Sequence, residues 1–317
     1  MTVLGKFNLL IIALLSLSIA LLGYSGGYSF PSFETFLASV MPIILFGPLG
    51  LFYTYFRVNK IIAVPCMNIV AYTLFIPLIV LFGQLMAGLN FPLTDSYLAA
   101  FDTTLGFNWL SAINFFTELP SWVSIFSTKL YESTNYATIF VAVFLIFSGK
   151  HRQLDEFITY VILTAVIANI FAGFFPAASA YEYFKPGIAV SERLSAVVGQ
   201  GYMNDFFALR EGSTRELKLV GANGLVSFPS FHTILALLLI YVTRGTGLFS
   251  IMITVWSLGI IATTPFDGAH YITDIIGGAV VLMATIAAVQ RLEPHLARIL
   301  SPGTTKSKPA SLPAFSA

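Results

Sequence analysis

The chain has 317 residues, of which 57% are hydrophobic and only 10% charged, with a formal net charge of +1. A soluble domain carries about 25% charged residues, so this composition excludes an ordinary water-soluble protein, and the near-neutral balance gives no electrostatic basis for a nucleic-acid partner. The single cysteine, Cys66, excludes an intrachain disulfide and a cysteine-built metal cluster, and in its apolar run it reads as packing.

In chain order, the run Leu9 to Leu22 follows Lys6 and has the length of a signal peptide. Further apolar segments follow, so residues 7–24 read as a first transmembrane helix. Residues 25–36 form a loop rich in Gly, Ser and Tyr. Spans follow at 37–56 and 61–83. Their internal prolines (Pro42, Pro48, Pro65, Pro77) imply kinks that neighbouring helices can accommodate.

Residues 91–132 differ. Tyr97, Leu98, Phe101 and Leu105 fall on one helical face and Asp95, Asp102 and Thr103 elsewhere, the pattern of a helix lying at the interface with its aspartates solvated. Spans resume at 133–148, 157–175, 229–243, 247–264 and 271–290. A long polar loop, 176–228, separates the fifth from the sixth, and no internal repeat is visible. The expected architecture is an all-α, polytopic membrane helix bundle of about eight transmembrane helices, an interfacial helix and a long outer loop. It divides into N-terminal helices (1–90), an interfacial segment (91–132), a catalytic bundle (133–292) and a flexible tail (293–317).

With eight spans and both termini inside, Lys6, Arg57, Lys60, Lys150, Arg152, Arg244, Arg291, Arg298, Lys306 and Lys308 face the cytoplasm. Lys129, Lys185, Arg193, Arg210, Arg215 and Lys218 face out. The positive-inside rule accepts this bias. It also starts two inward-running spans, at His232 and at His270, on the same outer side.

Those two histidines carry the chemistry. His270 and Asp274 are four apart, which on a helix stacks them on one face. An ionisable pair in an apolar segment is a functional hypothesis by default, and a carboxylate beside an imidazole fixes its tautomer and stabilises the charged ring. His232, in Ser227-Phe-Pro-Ser-Phe-His232, can then serve as acid and base. The other two, His151 and His295, read as surface residues.

Pro229-Ser-Phe-His232 followed by Gly268-Ala-His-Tyr-Ile-Thr-Asp274 resembles the last two signature motifs of the type 2 phosphatidic acid phosphatase superfamily. The wording is closest to its inositol-phosphorylceramide synthase-like branch. The resemblance extends to Asp102-Thr-Thr-Leu-Gly-Phe-Asn-Trp109, Phe175-Pro-Ala177 and Leu209-Arg-Glu-Gly212, and covers roughly residues 90 to 290. The superfamily's first motif, a lysine six residues before Arg-Pro, is absent, and Thr263-Thr264 stand where Ser-Arg is customary.

The resemblance implies a membrane lipid phosphotransferase, or a lipid phosphate phosphatase with water as acceptor. His270 would form a phosphohistidine, Asp274 would hold its other ring nitrogen, and His232 would protonate the leaving oxygen and then activate the acceptor. Ser230 donates to the phosphate or caps its helix. Both helix starts would point their dipoles at the phosphate. The missing cations must come from the outer loop, Arg210 first and Arg215 or Lys218 second. Neither cofactor nor metal is implied, the partner is a lipid phosphate in the membrane, and the site faces the extracytoplasmic side, of a bacterial inner membrane on this reading.

Three rival readings fit the same residues. His232, His270 and Asp274 make a two-histidine, one-carboxylate metal set. Ser230 with His270 suggests a serine protease, but no Gly-x-Ser-x-Gly turn surrounds it. A transporter would use the pair as a proton relay, with ionisable groups at mid-membrane and repeated halves.

Overall fold

The structure, a computed structural model, describes residues 1–187, 200–221 and 225–300. Among these it is all-helical, with no strand beyond an isolated bridge between Ser29 and Glu216. Five helices are long and apolar enough to cross a membrane: α1 (Val3–Ser25), α4 (Lys60–Ala87), α9 (His151–Phe174), α13 (Leu248–Asp267) and α14 (Ile272–Leu300). Two bent pairs bring the count to seven if each is one span. α2 (Phe33–Ser39) meets α3 (Pro42–Tyr55) at 54°, and α7 (Ser121–Glu132) meets α8 (Thr134–Phe147) at 45°. Short helices α5 (Asp95–Thr104), α6 (Trp109–Glu118), α10 (Ala180–Phe184), α11 (Gln200–Arg210) and α12 (Phe231–Val242) complete the set.

The expected count of eight spans is therefore not what the helices themselves give. The segment expected at 229–243 becomes α12, whose 12 residues rise only about 18 Å, short of the roughly 30 Å hydrocarbon core. Pro229 and the Ser230 cap fix its start, and Gly245 and Gly247, both at positive φ, turn the chain at its end. The first bend lies within residues 37–56, and α2 begins at Phe33, inside the segment expected to be loop.

α4 and α9 form the centre, with α1, α12 and α14 packed around α9. α1 shows why the bundle belongs in lipid. Leu4, Ile12, Leu15 and Ile19 are buried on its inner face, while Leu10, Leu14, Leu17 and Leu21 are exposed on the other. A helix apolar on both faces has no place against water. This is the helix set of an integral membrane protein.

At the end where α9 begins, Arg152 and Arg244 converge on buried Glu156, and Arg152 also pairs with Glu293 of α14. Asn68 of α4 donates to Asp155 at 2.6 Å. His151, expected at the surface, is only half exposed, with Nδ1 buried; His295 is exposed. The two histidine motifs lie at the opposite end of α9, whose 24 residues span about 36 Å.

Candidate active site

His270 is not a helical residue, contrary to the expectation of two side chains stacked along one helix. It lies in the turn before α14, after Gly268 and after Ala269, whose φ of 49° is left-handed. Asp274 sits in the first turn of α14. Its Oδ2 accepts from His270 Nδ1 at 2.9 Å and from the Tyr271 amide at 3.1 Å. Both side chains are buried, His270 at 4% exposure and Asp274 at 0%. The carboxylate thus holds the ring and closes the turn, and Nε2 of His270 is left for chemistry.

The second motif is fastened to the first. The Ser230 amide donates to the Asp274 carbonyl at 3.0 Å. Gly278 lets the two segments touch, because a Cβ there would lie 2.6 Å from the Ser230 carbonyl oxygen. Ser230 Oγ accepts from the Thr233 amide and hydroxyl, and the side chain is fully buried, so the geometry gives it the capping role.

His232, the second residue of α12, bonds through Nδ1 to Tyr131 Oη at 2.9 Å. Their rings stack at 4.1 Å between centroids. A Cβ at Gly268 would sit 2.6 Å from both Tyr131 Oη and His270 Cδ2. The glycine therefore leaves the gap around which the two histidines gather, each with Nδ1 occupied and Nε2 available.

The aspartates expected to face solvent are buried, Asp95 at 4% and Asp102 at 2% exposure, and it is Tyr97, Phe101 and Leu105 that point outward. In a lipid setting the apolar face goes to the outside and the carboxylates go to backbone donors. Asp102 accepts from the Ile272 and Thr273 amides at 2.9 and 2.8 Å, so it caps α14. Asp95 accepts from the Ala178 and Ser179 amides and from Tyr271 Oη. Burial pushes its carboxyl above the ordinary range against those bonds. The signal was present: 95 and 102 are two helical turns apart, with Leu98 and Ala99 between them on the buried face.

This cap changes the expected phosphate site. The N-terminus of α14 already holds a carboxylate, so α12 is the helix start with amides to offer an anion.

The expected cations are placed apart from one another. Arg210 is buried at 8% exposure, donates to the Phe91 carbonyl at 2.6 Å and stacks on Phe206, and its Nη1 has no hydrogen-bond partner among the described residues. Burial pulls its guanidinium below arginine's ordinary value, and nearby Asp95 acts the other way. Arg215 donates to Tyr28 Oη at 2.6 Å, and Lys218 lies 3.5 Å from Asp205. Neither of these is brought to the histidines. Arg193 lies outside the described residues. Thr263 and Thr264, in place of Ser-Arg, are buried and return their hydroxyls to the Ile260 carbonyl.

Among the described residues no group of three or more His, Cys, Asp or Glu side chains is arranged to hold a metal ion. In the rival two-histidine, one-carboxylate set, Nδ1 of each histidine and Oδ2 of Asp274 are turned to protein partners.

A helical membrane protein with two oriented histidines, His270 buried and His232 half-buried, at the starts of neighbouring helical segments defines a class of histidine site. The family model of the PAP2 superfamily matches residues 96–288, a range that contains both histidine motifs and Asp102. The chain belongs to the PAP2 superfamily. No curated protein and no solved structure matches it.

Proposed function

We propose that the protein transfers a phosphate or phospho-headgroup from a lipid donor to an alcohol through a phosphohistidine, as the inositol-phosphorylceramide synthase-like branch does. A phosphatase using water as acceptor is the second reading. The observation that carries both is the 2.9 Å His270–Asp274 bond facing His232 across the Gly268 gap.

In the first step Nε2 of His270 attacks phosphorus, the bond from phosphorus to the leaving oxygen breaks, and His232 Nε2–H protonates that oxygen. Asp274 stabilises the cationic phospho-imidazole through Nδ1–H. In the second step the acceptor hydroxyl gives its proton to His232 Nε2, its oxygen attacks phosphorus, and the phosphorus–nitrogen bond breaks. The free amides of α12 and Arg210 supply donors to the phosphate oxygens. Two readings separate on the acceptor alone. The absence of the superfamily's first motif and Thr263-Thr264 favour the synthase-like branch.

The positive-charge bias of the sequence favours an extracytoplasmic site. The reading is tested by incubating purified protein with a phospholipid labelled in its phosphate and trapping the enzyme. Label that is acid-labile, base-stable and lost in His270→Ala is expected. Catalytic turnover with no label on His270 overturns it.

A further inference from the structure

Nothing in the superfamily motifs accounts for Tyr131, yet among the described residues its phenol makes the one hydrogen bond to the His232 ring. The contact is built, not incidental. Tyr131 is 5% exposed and lies on α7. Asp267, at the end of α13, accepts from Ser127 and from Thr128 Oγ1, the latter at 2.7 Å. Leu130 packs where Gly259 lacks a Cβ, and Trp256 donates to Ser133 at 2.8 Å. α7 is therefore fixed on α13 by groups that do not involve His232, and it delivers the phenol to Nδ1 at 2.9 Å.

We propose that Tyr131 is the positioning residue of His232, resting on the phosphohistidine reading above. It fixes the ring through a neutral hydroxyl where Asp274 fixes His270 through a carboxylate. The difference matches the two tasks. A nucleophilic histidine becomes cationic when phosphorylated and needs a nearby negative charge. An acid–base histidine must release a proton and then take one up. A carboxylate partner would hold it as imidazolium, whereas a phenol accepts from Nδ1–H without strongly favouring either state of Nε2. Throughout the cycle the phenol keeps its own proton. It accepts from Nδ1–H while Nε2–H goes to the leaving oxygen, and still does so when Nε2 takes the acceptor's proton.

The experiment compares Tyr131→Phe with His232→Ala on two phosphate esters in detergent. A long-chain alkyl phosphate has a leaving alkoxide that needs a proton, and 4-nitrophenyl phosphate has a leaving phenolate that does not. The rate of phosphoenzyme formation is read in single turnover for the first and as the nitrophenolate burst for the second. Tyr131→Phe keeps the stacked ring, and it is expected to slow the alkyl ester on the order of 10²-fold, the low end of what general acid catalysis contributes, while leaving the burst nearly unchanged. His232→Ala should show the same selectivity more strongly.

A merely structural role would slow both esters together, and that result overturns the proposal; the retained burst is also the check that the variant is folded. If His232→Ala discriminates between the esters and Tyr131→Phe does not, Tyr131 alone is misassigned. If His232→Ala does not discriminate, or wild-type protein forms no phosphoenzyme on either ester, the underlying reading fails and takes this inference with it.

Discussion

Asp102 accepts from both the amide and the hydroxyl of Thr273, at 2.8 and 2.6 Å, and so closes the start of the helix that carries Asp274. The bond joins α5, a short helix at the bundle's edge, to the residue next to the carboxylate that orients His270. An ionised carboxylate at a helix N-terminus is favourable both as a cap and against the macrodipole. The register of the active turn thus depends on a residue outside both histidine motifs.

Asp102→Ala is expected to destabilise the protein by about 1–2 kcal/mol, the usual cost of losing a cap, and to lower turnover by loosening the His270 turn. Asp102→Asn keeps one carbonyl acceptor and should fall between. Thermal unfolding in detergent and turnover are measured together. A wild-type unfolding midpoint for Asp102→Ala would show that the cap does not hold α14.

The helical membrane class, most helix positions and the superfamily were legible in the sequence, because hydropathy and motif spacing are local properties. What was not legible depended on partners distant in sequence. An amphipathic pattern gives a face but not which side water occupies, so the sequence alone assigns Asp95 and Asp102 to solvent where the structure buries them. Tyr131 lies 101 residues from His232 and carries no motif. The eighth span, expected at 229–243, is not confirmed, because turn residues at both ends leave α12 only 12 residues long.

His270→Ala should abolish turnover, and Asp274→Asn should reduce it on the order of 10⁴-fold by losing the orienting negative charge. Asn is preferred to Ala at 274 because the side chain also accepts from the Tyr271 amide, and its loss would disturb the turn. Both variants should stay folded in detergent. Near-normal activity of purified His270→Ala rules out the mechanism.

The orientation predicts that Asn204, exposed on α11, faces outward and Ser148, exposed after α8, faces the cytoplasm. Single cysteines at these positions in a Cys66→Ala background would be treated in intact cells with a membrane-impermeant thiol reagent. Labelling at 204 and not at 148 is expected. The reverse pattern places the histidine end on the cytoplasmic side.

The last prediction concerns the phosphate's counter-charge. A multiply charged transition state in a water-poor cleft needs fixed positive charge or aligned donors. Arg215 and Lys218 are exposed and engaged by Tyr28 and Asp205, so Arg215→Ala and Lys218→Ala should leave kcat/KM close to wild type. Arg210 differs: it is buried, one arm is tied to the Phe91 carbonyl, and Nη1 has no hydrogen-bond partner among the described residues. A guanidinium anchored by one nitrogen and open at another is suited to receive a phosphate oxygen, and its planar fork is what lysine lacks. Arg210→Lys should therefore lower kcat/KM by at least about tenfold, equivalent to roughly 1.4 kcal/mol of transition-state stabilisation. Arg210→Ala should be lower still. Because the side chain also stacks on Phe206, at 5.2 Å, the unfolding midpoint must be followed with the kinetics. A drop in the midpoint with unchanged kcat/KM makes Arg210 a structural residue and leaves the amides of α12 as the phosphate's donors. Loss of kcat/KM in Arg210→Lys at a wild-type midpoint makes it the phosphate's cation.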